Sequence, residues 1–372
     1  MKSSFRIARV KGIDIRVHVT FALVLIWAAL DWGVWRGLGL EGALYGLVLV
    51  GLLFLFVTLH ELGHSLVARR YGVGVRDITL LPIGGVARIE GEMANPAQEF
   101  WMALAGPAVN IAMAAALGAV ALPILGWHAL SGWRVLVDRV TGLGFEKLLV
   151  DLLIANIGLA IFNLLPAFPL DGGRVLRAFL ASRMGELDAT RIAVRVGQGL
   201  ALLLGLAGLV GGGVNLILIA LFIFSGGQQE WRGTQVKVAL RDVPASAALT
   251  RGGVVLSSTD PLARAIDITL RSPQTDFAVF DWDRLVGVLT REDVARGFQS
   301  YRPDVLVGQV MRTDFPVAQS NETLLDLKHK MDSSGSSAIT VVEGTRFLGL
   351  VTREGIQNAL RLFAARKQPA SV

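Results

Sequence analysis

The sequence predicts a polytopic α-helical membrane protein with about six transmembrane helices, followed by a C-terminal soluble α/β domain. Of its 372 residues, 53% are hydrophobic, and the mean hydropathy of +0.55 is high for a soluble chain of this length. Long apolar runs end near residue 228, where polar and apolar residues begin to mix. We therefore expect a membrane domain over residues 1–228, a soluble domain over 236–363 and a tail over 364–372.

The charge distribution indicates a membrane orientation and argues against nucleic acid as a partner. The net charge is +6 and the pI is about 10.0, but basic residues lie scattered at the ends of apolar runs rather than in one stripe. Because the inner segments carry more of them, we expect an integral protein of a prokaryotic cell membrane with cytoplasmic termini and a cytoplasmic soluble domain. Five arginines are interpreted as one cytoplasmic loop: Arg174, Arg177, Arg183, Arg191 and Arg195.

Six apolar runs are the candidate membrane spans. A helix needs about 20 apolar residues to cross the hydrocarbon core, and the last run is short, so five and six spans both fit. Residues 1–16 are interpreted as a cytoplasmic lead-in, and residues 126–147 as an external segment with Trp127 and Trp133 at the membrane interface. The runs cover residues 17–38, 42–68, 100–125, 148–165, 192–210 and 214–224.

Residues 73–90, between the second and third runs, are too short and too interrupted for a span. Pro82, Gly84 and Gly85 break the apolar pattern, while the β-branched residues favour extended backbone. We expect an extended or re-entrant segment near the site described next. An ordinary loop is the alternative.

The second run contains the motif His-Glu-Leu-Gly-His at residues 60–64. Residues four apart share one face of a helix, so His60 and His64 can bind one cation while Glu61 lies beside it. Residues 43–58 carry no charge, and each ionisable group at bilayer depth costs about 2–3 kcal/mol or more, which argues against an idle cluster. The pattern predicts a zinc site with Glu61 as the general base of a hydrolase. Because the chain has no cysteine, all ligands must be nitrogen or oxygen donors.

Asp171 is the candidate third ligand. The remaining histidines lie at a span edge, in the external segment or in the soluble domain, and Asp31 and Asp151 fall toward the opposite side of the membrane. Asp171 follows two prolines and precedes two glycines, an irregular backbone that is tolerated at membrane depth where it lines a polar cavity. The alternative is that Asp171 caps the following helix. Asn163 is a candidate for binding substrate backbone, or else bonds to a neighbouring helix.

The soluble domain contains an internal repeat, because residues 285–294 recur as residues 347–356. Each copy has a helical stretch, a strand, a turn, a second strand and a helix, over about 236–300 and 305–363. This arrangement resembles a pair of cystathionine-β-synthase (CBS) repeats. The resemblance implies a pseudo-dimer that binds an adenine nucleotide (ATP, ADP or AMP) through Thr290 and Asp293, and through Thr352, where Gly355 replaces the second acid. A purely structural or dimerising role, with a homodimer formed through the repeats, is the alternative.

Together, the motif at 60–64, the segment 163–173 and the repeats resemble the site-2 protease family, in its branch with C-terminal CBS repeats. The resemblance covers nearly the whole chain. It implies zinc held by His60, His64 and Asp171, Glu61 as the base, and cleavage of a transmembrane segment in a partner protein. It also implies that Gly84 and Gly85 lie in a membrane-embedded strand near the substrate's unwound backbone.

Two other functions fit part of this pattern. A CBS-regulated metal or ion transporter would use the same intramembrane ionisable residues. It would tolerate glutamine at position 61, whereas a hydrolase needs Glu61 chemically. A catalytically dead membrane chaperone is disfavoured because none of the proposed catalytic positions is missing.

Overall fold

The computed structural model describes residues 4–91, 93–126, 142–250, 252–300, 305–344 and 346–367. The chain divides into two compact units, Met1–Arg232 and Gly233–Val372. The predicted interface residues Trp127 and Trp133 lie outside the described residues.

The first unit begins with a hairpin that belongs to a four-stranded sheet. Strands β1 (Ser4–Val10) and β2 (Ile13–His18) pair antiparallel, so from residue 4 onward the predicted lead-in is a β-hairpin. The sheet continues with β3 (Gly74–Leu81), parallel to β2, and with β4 (Gly84–Glu90), antiparallel to β3. The strand order is β1-β2-β3-β4. The extended backbone expected for residues 73–90 is therefore confirmed.

The first apolar run is shorter as a helix than expected. Helix α1 (Phe21–Leu30) passes into a π-helical turn at Asp31–Trp35, and Arg36 pairs with Asp31 at 2.9 Å. This ion pair joins the two charged residues of the run across the π-helical turn, beyond the end of α1. The predicted boundary at residue 38 is thus several residues too late.

Two long helices form the centre of this unit. Helix α2 (Gly39–Arg70) carries the motif at 60–64 and ends in two arginines. The N-cap of helix α3 (Pro96–Leu125) is Asn95, whose side chain accepts a hydrogen bond from the backbone N–H of Gln98. Helix α3 packs against α2, against α4 (Phe145–Asn163) and against α5 (Asp171–Ala181).

The arginines predicted to form a loop lie mostly on helices. Arg174 and Arg177 are on α5, and Arg191 and Arg195 are on α6 (Glu186–Gly211). Only Arg183 lies between the two helices. Charged residues on an amphipathic helix resemble a loop in composition, which explains the error. The last helix of the unit is α7 (Val214–Leu240), which continues past Arg232.

Three helices among the described residues are long and apolar enough to cross a membrane, namely α2, α3 and α6. The run over Phe21–Trp35 is apolar but shorter. The predicted count of about six spans is therefore not confirmed, although the helical membrane character of this unit is.

The second unit contains two copies of one topology. In each, a short first strand is parallel to the second strand, which pairs antiparallel with the third. The first copy comprises β5 (Leu256–Ser257), α8 (Leu262–Arg271), β6 (Phe277–Asp281), β7 (Arg284–Leu289) and α9 (Arg291–Ser300). A short helix, α10 (Val307–Val310), precedes the second copy, which comprises β8 (Val317–Gln319), α11 (Leu324–Ser334), β9 (Ala338–Glu343), β10 (Arg346–Thr352) and α12 (Arg353–Lys367).

The two copies pack on each other through apolar side chains of their sheets. Ala278 and Val288 of the first copy form one buried cluster with Ala338 and Leu350 of the second. The short strands β5 and β8, which the sequence interpretation missed, complete each sheet. They are too short to give a periodic signal of their own.

Candidate metal centre

Three ligand atoms meet where α2 faces the start of α5. The Nε2 atoms of His60 and His64 are 3.1 Å apart, and each lies 3.2 Å from Oδ2 of Asp171. Zinc–nitrogen and zinc–oxygen bonds of about 2.0–2.2 Å in a tetrahedron require ligand atoms about 3.3 Å apart. Within the described residues, this is the group of histidine and acidic side chains arranged to hold a metal.

The spacing along α2 brings the two imidazoles together, while α3 orients one of them. His64 Nδ1 lies 2.6 Å from the carbonyl oxygen of Met102. A carbonyl only accepts, so Nδ1 must carry the proton and Nε2 keeps the lone pair that a metal needs. Such a hydrogen bond fixes the tautomer and the ring orientation of a metal ligand.

Gly106 of α3 makes room for both imidazoles. A Cβ atom at this position would lie 2.2 Å from His64 Nε2 and 2.7 Å from His60 Cε1. The sequence interpretation assigned this small residue to helix packing. Its contact with the ligands arises only when α3 meets α2, and the one hint in the sequence is the Gly-Pro pair inside an apolar helix.

Asp171 reaches the histidines because its loop folds tightly against the start of α5. A Cβ at Gly172 would lie 2.3 Å from the carbonyl oxygens of Leu164 and Leu165, and one at Gly173 would lie 2.7 Å from Ala167. The N-cap of α5 is Leu170, with no capping bond from a side chain. The alternative role of Asp171 as a cap is therefore wrong.

Asp151, set aside in the sequence interpretation, is engaged elsewhere. Its carboxylate accepts a hydrogen bond from Tyr45 at 2.8 Å and pairs with Lys147 at 2.6 Å. This network joins the N-terminal parts of α2 and α4, whereas His60 and His64 lie in the C-terminal part of α2. Asp151 thus takes part in the packing of α2 against α4.

Glu61 lies next to strand β4. A Cβ on Gly85 would come within 2.6 Å of Glu61 Cγ, so the absence of a side chain lets β4 approach the glutamate. Gly84 adopts a φ of +133°, a conformation that favours glycine. The structure thus places Gly85 beside Glu61, within strand β4. Asn163 ends α4, at the beginning of the loop that leads to Asp171.

The predicted nucleotide residues lie in two different surroundings. Thr352 and Gly355 line a cavity of about 530 Å³ in the second unit, together with Asp276, whose pKa is raised by burial. Thr290 and Asp293 are buried instead, and the Thr290 hydroxyl donates to Asp293 at 2.6 Å. Arg312 also donates to Asp293, at 2.9 Å. The side chains expected to bind nucleotide in the first repeat are therefore hydrogen-bonded within the protein.

Comparison with known proteins identifies the family. The model of the family described as "Peptidase family M50" matches residues 48–204, and the model of the CBS domain family matches residues 307–362. A zinc metalloprotease of Methanocaldococcus jannaschii is 32% identical over 99% of both chains. The chain belongs to peptidase family M50. It is a zinc-dependent metalloendopeptidase of the site-2 protease type, with a C-terminal CBS domain.

Two further matches to this M50 protein cover different shares of the chain. A provisionally named zinc metalloprotease of Synechocystis is 31% identical, over 98% of this chain and 97% of its own. The solved structure of the site-2 protease from Methanocaldococcus jannaschii is 37% identical, with a TM-score of 0.44, and covers 62% of this chain and 95% of that one. The M50 match contains both histidines, Glu61 and Asp171.

Proposed function

We propose that this M50 protein hydrolyses a peptide bond in or near a transmembrane segment of a partner protein, as a step of regulated intramembrane proteolysis. The observation that carries the proposal is that Asp171 meets His60 and His64, which lie beside Glu61 on a helix long enough to cross a membrane. The site lies toward the end of α2 that carries Arg69 and Arg70, which is the cytoplasmic end by the charge rule. In this topology about six spans place both termini and the CBS repeats in the cytoplasm.

The donor set fits zinc, and His60, His64 and Asp171 would hold it. A bound zinc ion supplies Lewis acidity, which activates a water and polarises a carbonyl. With two neutral imidazoles and one carboxylate as ligands, a zinc dication would keep a net positive charge. The Met102 carbonyl keeps His64 in the binding tautomer.

Glu61 is the proposed general base. Its position next to His60 in sequence and beside Gly85 in space puts a carboxylate at the edge of the ligand cluster. There it takes a proton from the attacking water and returns it to the leaving amine. The polar groups of this site face a medium that otherwise excludes water, so a cavity reaching the cytoplasm supplies the water.

Strand β4 is the proposed docking strand for the substrate. Among the described strands, β4 lies at one edge of its sheet, and it touches Glu61 at Gly85. An unwound segment of the substrate would add to this edge through main-chain hydrogen bonds, with Gly84 and Gly85 allowing close approach. Asn163 is a proposed hydrogen-bond partner for the same backbone. Helix-breaking residues in the substrate favour the unwinding that this requires.

The CBS repeats are the proposed regulatory part. The cavity beside Thr352 is large enough for an adenine nucleotide such as ATP, ADP or AMP, by comparison with sites of about 300–1,000 Å³ for small ligands. Binding there would alter proteolysis. A homodimer formed through the repeats is the other proposed role of this unit.

Cleavage of a transmembrane substrate in liposomes tests the proposal. The wild type is compared with Glu61→Gln, each with and without a zinc chelator, and with Glu41→Gln as a control on the same helix. We expect cleavage by the wild type and by Glu41→Gln, and loss of cleavage in Glu61→Gln and in all chelated samples. Zinc uptake into the liposomes that persists in Glu61→Gln, without cleavage by any sample, would establish the transporter instead.

A further inference from the structure

His60 has an unpaired polar atom on the side of its ring away from the ligand cluster. Its Nε2 faces His64 and Asp171, and its Nδ1 is buried without a hydrogen-bond partner within the described residues. If Nε2 offers its lone pair to a metal, Nδ1 carries the proton and is a buried donor. A buried donor without an acceptor is costly. His64 has the Met102 carbonyl for this purpose, but His60 has no such bond.

Asn110 is an equally buried polar side chain with unused hydrogen-bonding capacity. It is 1% exposed, and both its Oδ1 and its Nδ2 lack a partner within the described residues. It lies four residues after Gly106 on α3, and residues four apart share one helix face. Gly106 is the residue of that face that touches both imidazoles.

The contacts between α2 and α3 define the register of this face. His64 contacts Met102, and Gly63 would meet Ala105 and Val109 through a Cβ. Rising numbers on α3 thus follow falling numbers on α2, so the two helices run antiparallel. One turn beyond Gly106, Asn110 lies toward His60 and away from His64.

We propose that Asn110 is a positioning residue for the metal centre. Its Oδ1 accepts a hydrogen bond from one bridging water, and that water accepts a hydrogen bond from His60 Nδ1. This bond holds His60 in the tautomer whose Nε2 lone pair faces Asp171. An amide provides the acceptor without adding a charge at membrane depth, as a carboxylate would. The inference rests on the proposed zinc site.

Zinc retention tests this role without measuring proteolysis. The full-length protein is loaded with zinc, and the rate of zinc transfer to an excess of chelator is followed for the wild type, Asn110→Leu, Asn110→Ala and Asn110→Asp. Loss of an outer partner of a metal ligand weakens metal affinity about 10- to 100-fold. We expect Leu and Ala to accelerate zinc release by this factor, and Asp, which keeps an acceptor oxygen, to stay within about threefold of the wild type.

Asn156→Leu is the matched control. Asn156 is fully buried on α4 and also has an unpaired Oδ1, but its Nδ2 donates to the Leu152 carbonyl of its own helix at 2.9 Å. We expect this variant to release zinc at the wild-type rate. Equal rates in the wild type and both Asn110 removal variants would overturn the inference, as would equal acceleration by Asn110→Asp or by Asn156→Leu. A wild type that holds no zinc would overturn the proposed function itself.

Discussion

Gly106 is the residue whose role in the site is most sharply defined by distance. A Cβ 2.2 Å from His64 Nε2 forces either the imidazole or the helix to move. Moving a ligand atom disrupts the tetrahedral geometry that zinc requires. We predict that Gly106→Ala lowers zinc content per chain and proteolysis at least about tenfold. Metal analysis of the purified protein, together with a cleavage assay, measures both.

Gly118→Ala is the control for this substitution. Gly118 lies on the same helix, and a Cβ there would meet nothing within 4 Å. Alanine is also the better helix former, so this variant should keep full zinc content and activity. If Gly106→Ala behaves like Gly118→Ala, the imidazoles do not lie where the structure puts them.

Residue spacing alone predicts part of the site. His60 and His64 share a helix face whatever the rest of the chain does, because their relation is local. Asp171 required an argument from membrane depth, and the structure brings it to the two imidazoles. Gly106, Met102 and Asn110 could not be found in this way, since their roles depend on the packing of α3 against α2.

At the level of the elements, an ion-pair network fastens α5, which begins with Asp171. Arg177 of α5 is largely buried, donates through Nε to Glu99 of α3 at 2.9 Å, and also pairs with Glu230 of α7. Its guanidinium lies 5.1 Å from the centre of the Phe168 ring, in the loop that precedes α5. The network thus joins α3, α5 and α7 next to the loop that precedes Asp171.

Removing Arg177 should destabilise this arrangement strongly. Arg177→Leu would leave the Glu99 and Glu230 carboxylates without the cation they share, and breaking a buried ion pair by removing one partner costs about 3–5 kcal/mol. We predict a clear fall in the midpoint of thermal unfolding in detergent, together with loss of zinc. Arg271→Leu is the control, because the pair of Arg271 and Asp267 is exposed and exposed pairs contribute little. Equal midpoints in the two variants would contradict a structural role for the network.

The elements themselves were predicted unevenly. Long apolar helices such as α2 and α3 are evident from hydropathy, and the extended backbone over residues 73–90 from its β-branched content, although the pairing of its two strands was not predicted. The hairpin of β1 and β2 was not predicted, because its basic residues Arg6, Arg9, Lys11 and Arg16 are typical of a charged lead-in. Its partner strand β3 lies far away in sequence, and pairing of that kind leaves no local signal.

For the whole molecule, the two CBS repeats should differ in ligand binding. In the first repeat Asp293 is already engaged by Thr290 and Arg312, whereas Thr352 of the second repeat faces an open cavity. We predict one adenine nucleotide per chain, measured by calorimetry on the full-length protein. Thr352→Val should weaken binding about fivefold, the value of one hydrogen bond of about 1 kcal/mol.

Thr269→Val is the control for nucleotide binding. The Thr269 hydroxyl donates to the Ala265 carbonyl within its own helix, and the cavity lining does not include it. This variant should bind nucleotide like the wild type. Two nucleotides per chain, or an unchanged affinity in Thr352→Val, would show that the cavity beside Thr352 is not the single site.

The zinc content of purified protein tests the central claim most directly. Metal analysis is applied to the wild type, to His64→Ala and Asp171→Ala, and to His18→Ala, whose ring bonds to Thr20 near the start of α1. We predict one zinc per chain in the wild type and in His18→Ala, and almost none in the other two. Zinc that is absent from the wild type, or equally retained by all four proteins, would contradict a metal centre formed by His60, His64 and Asp171.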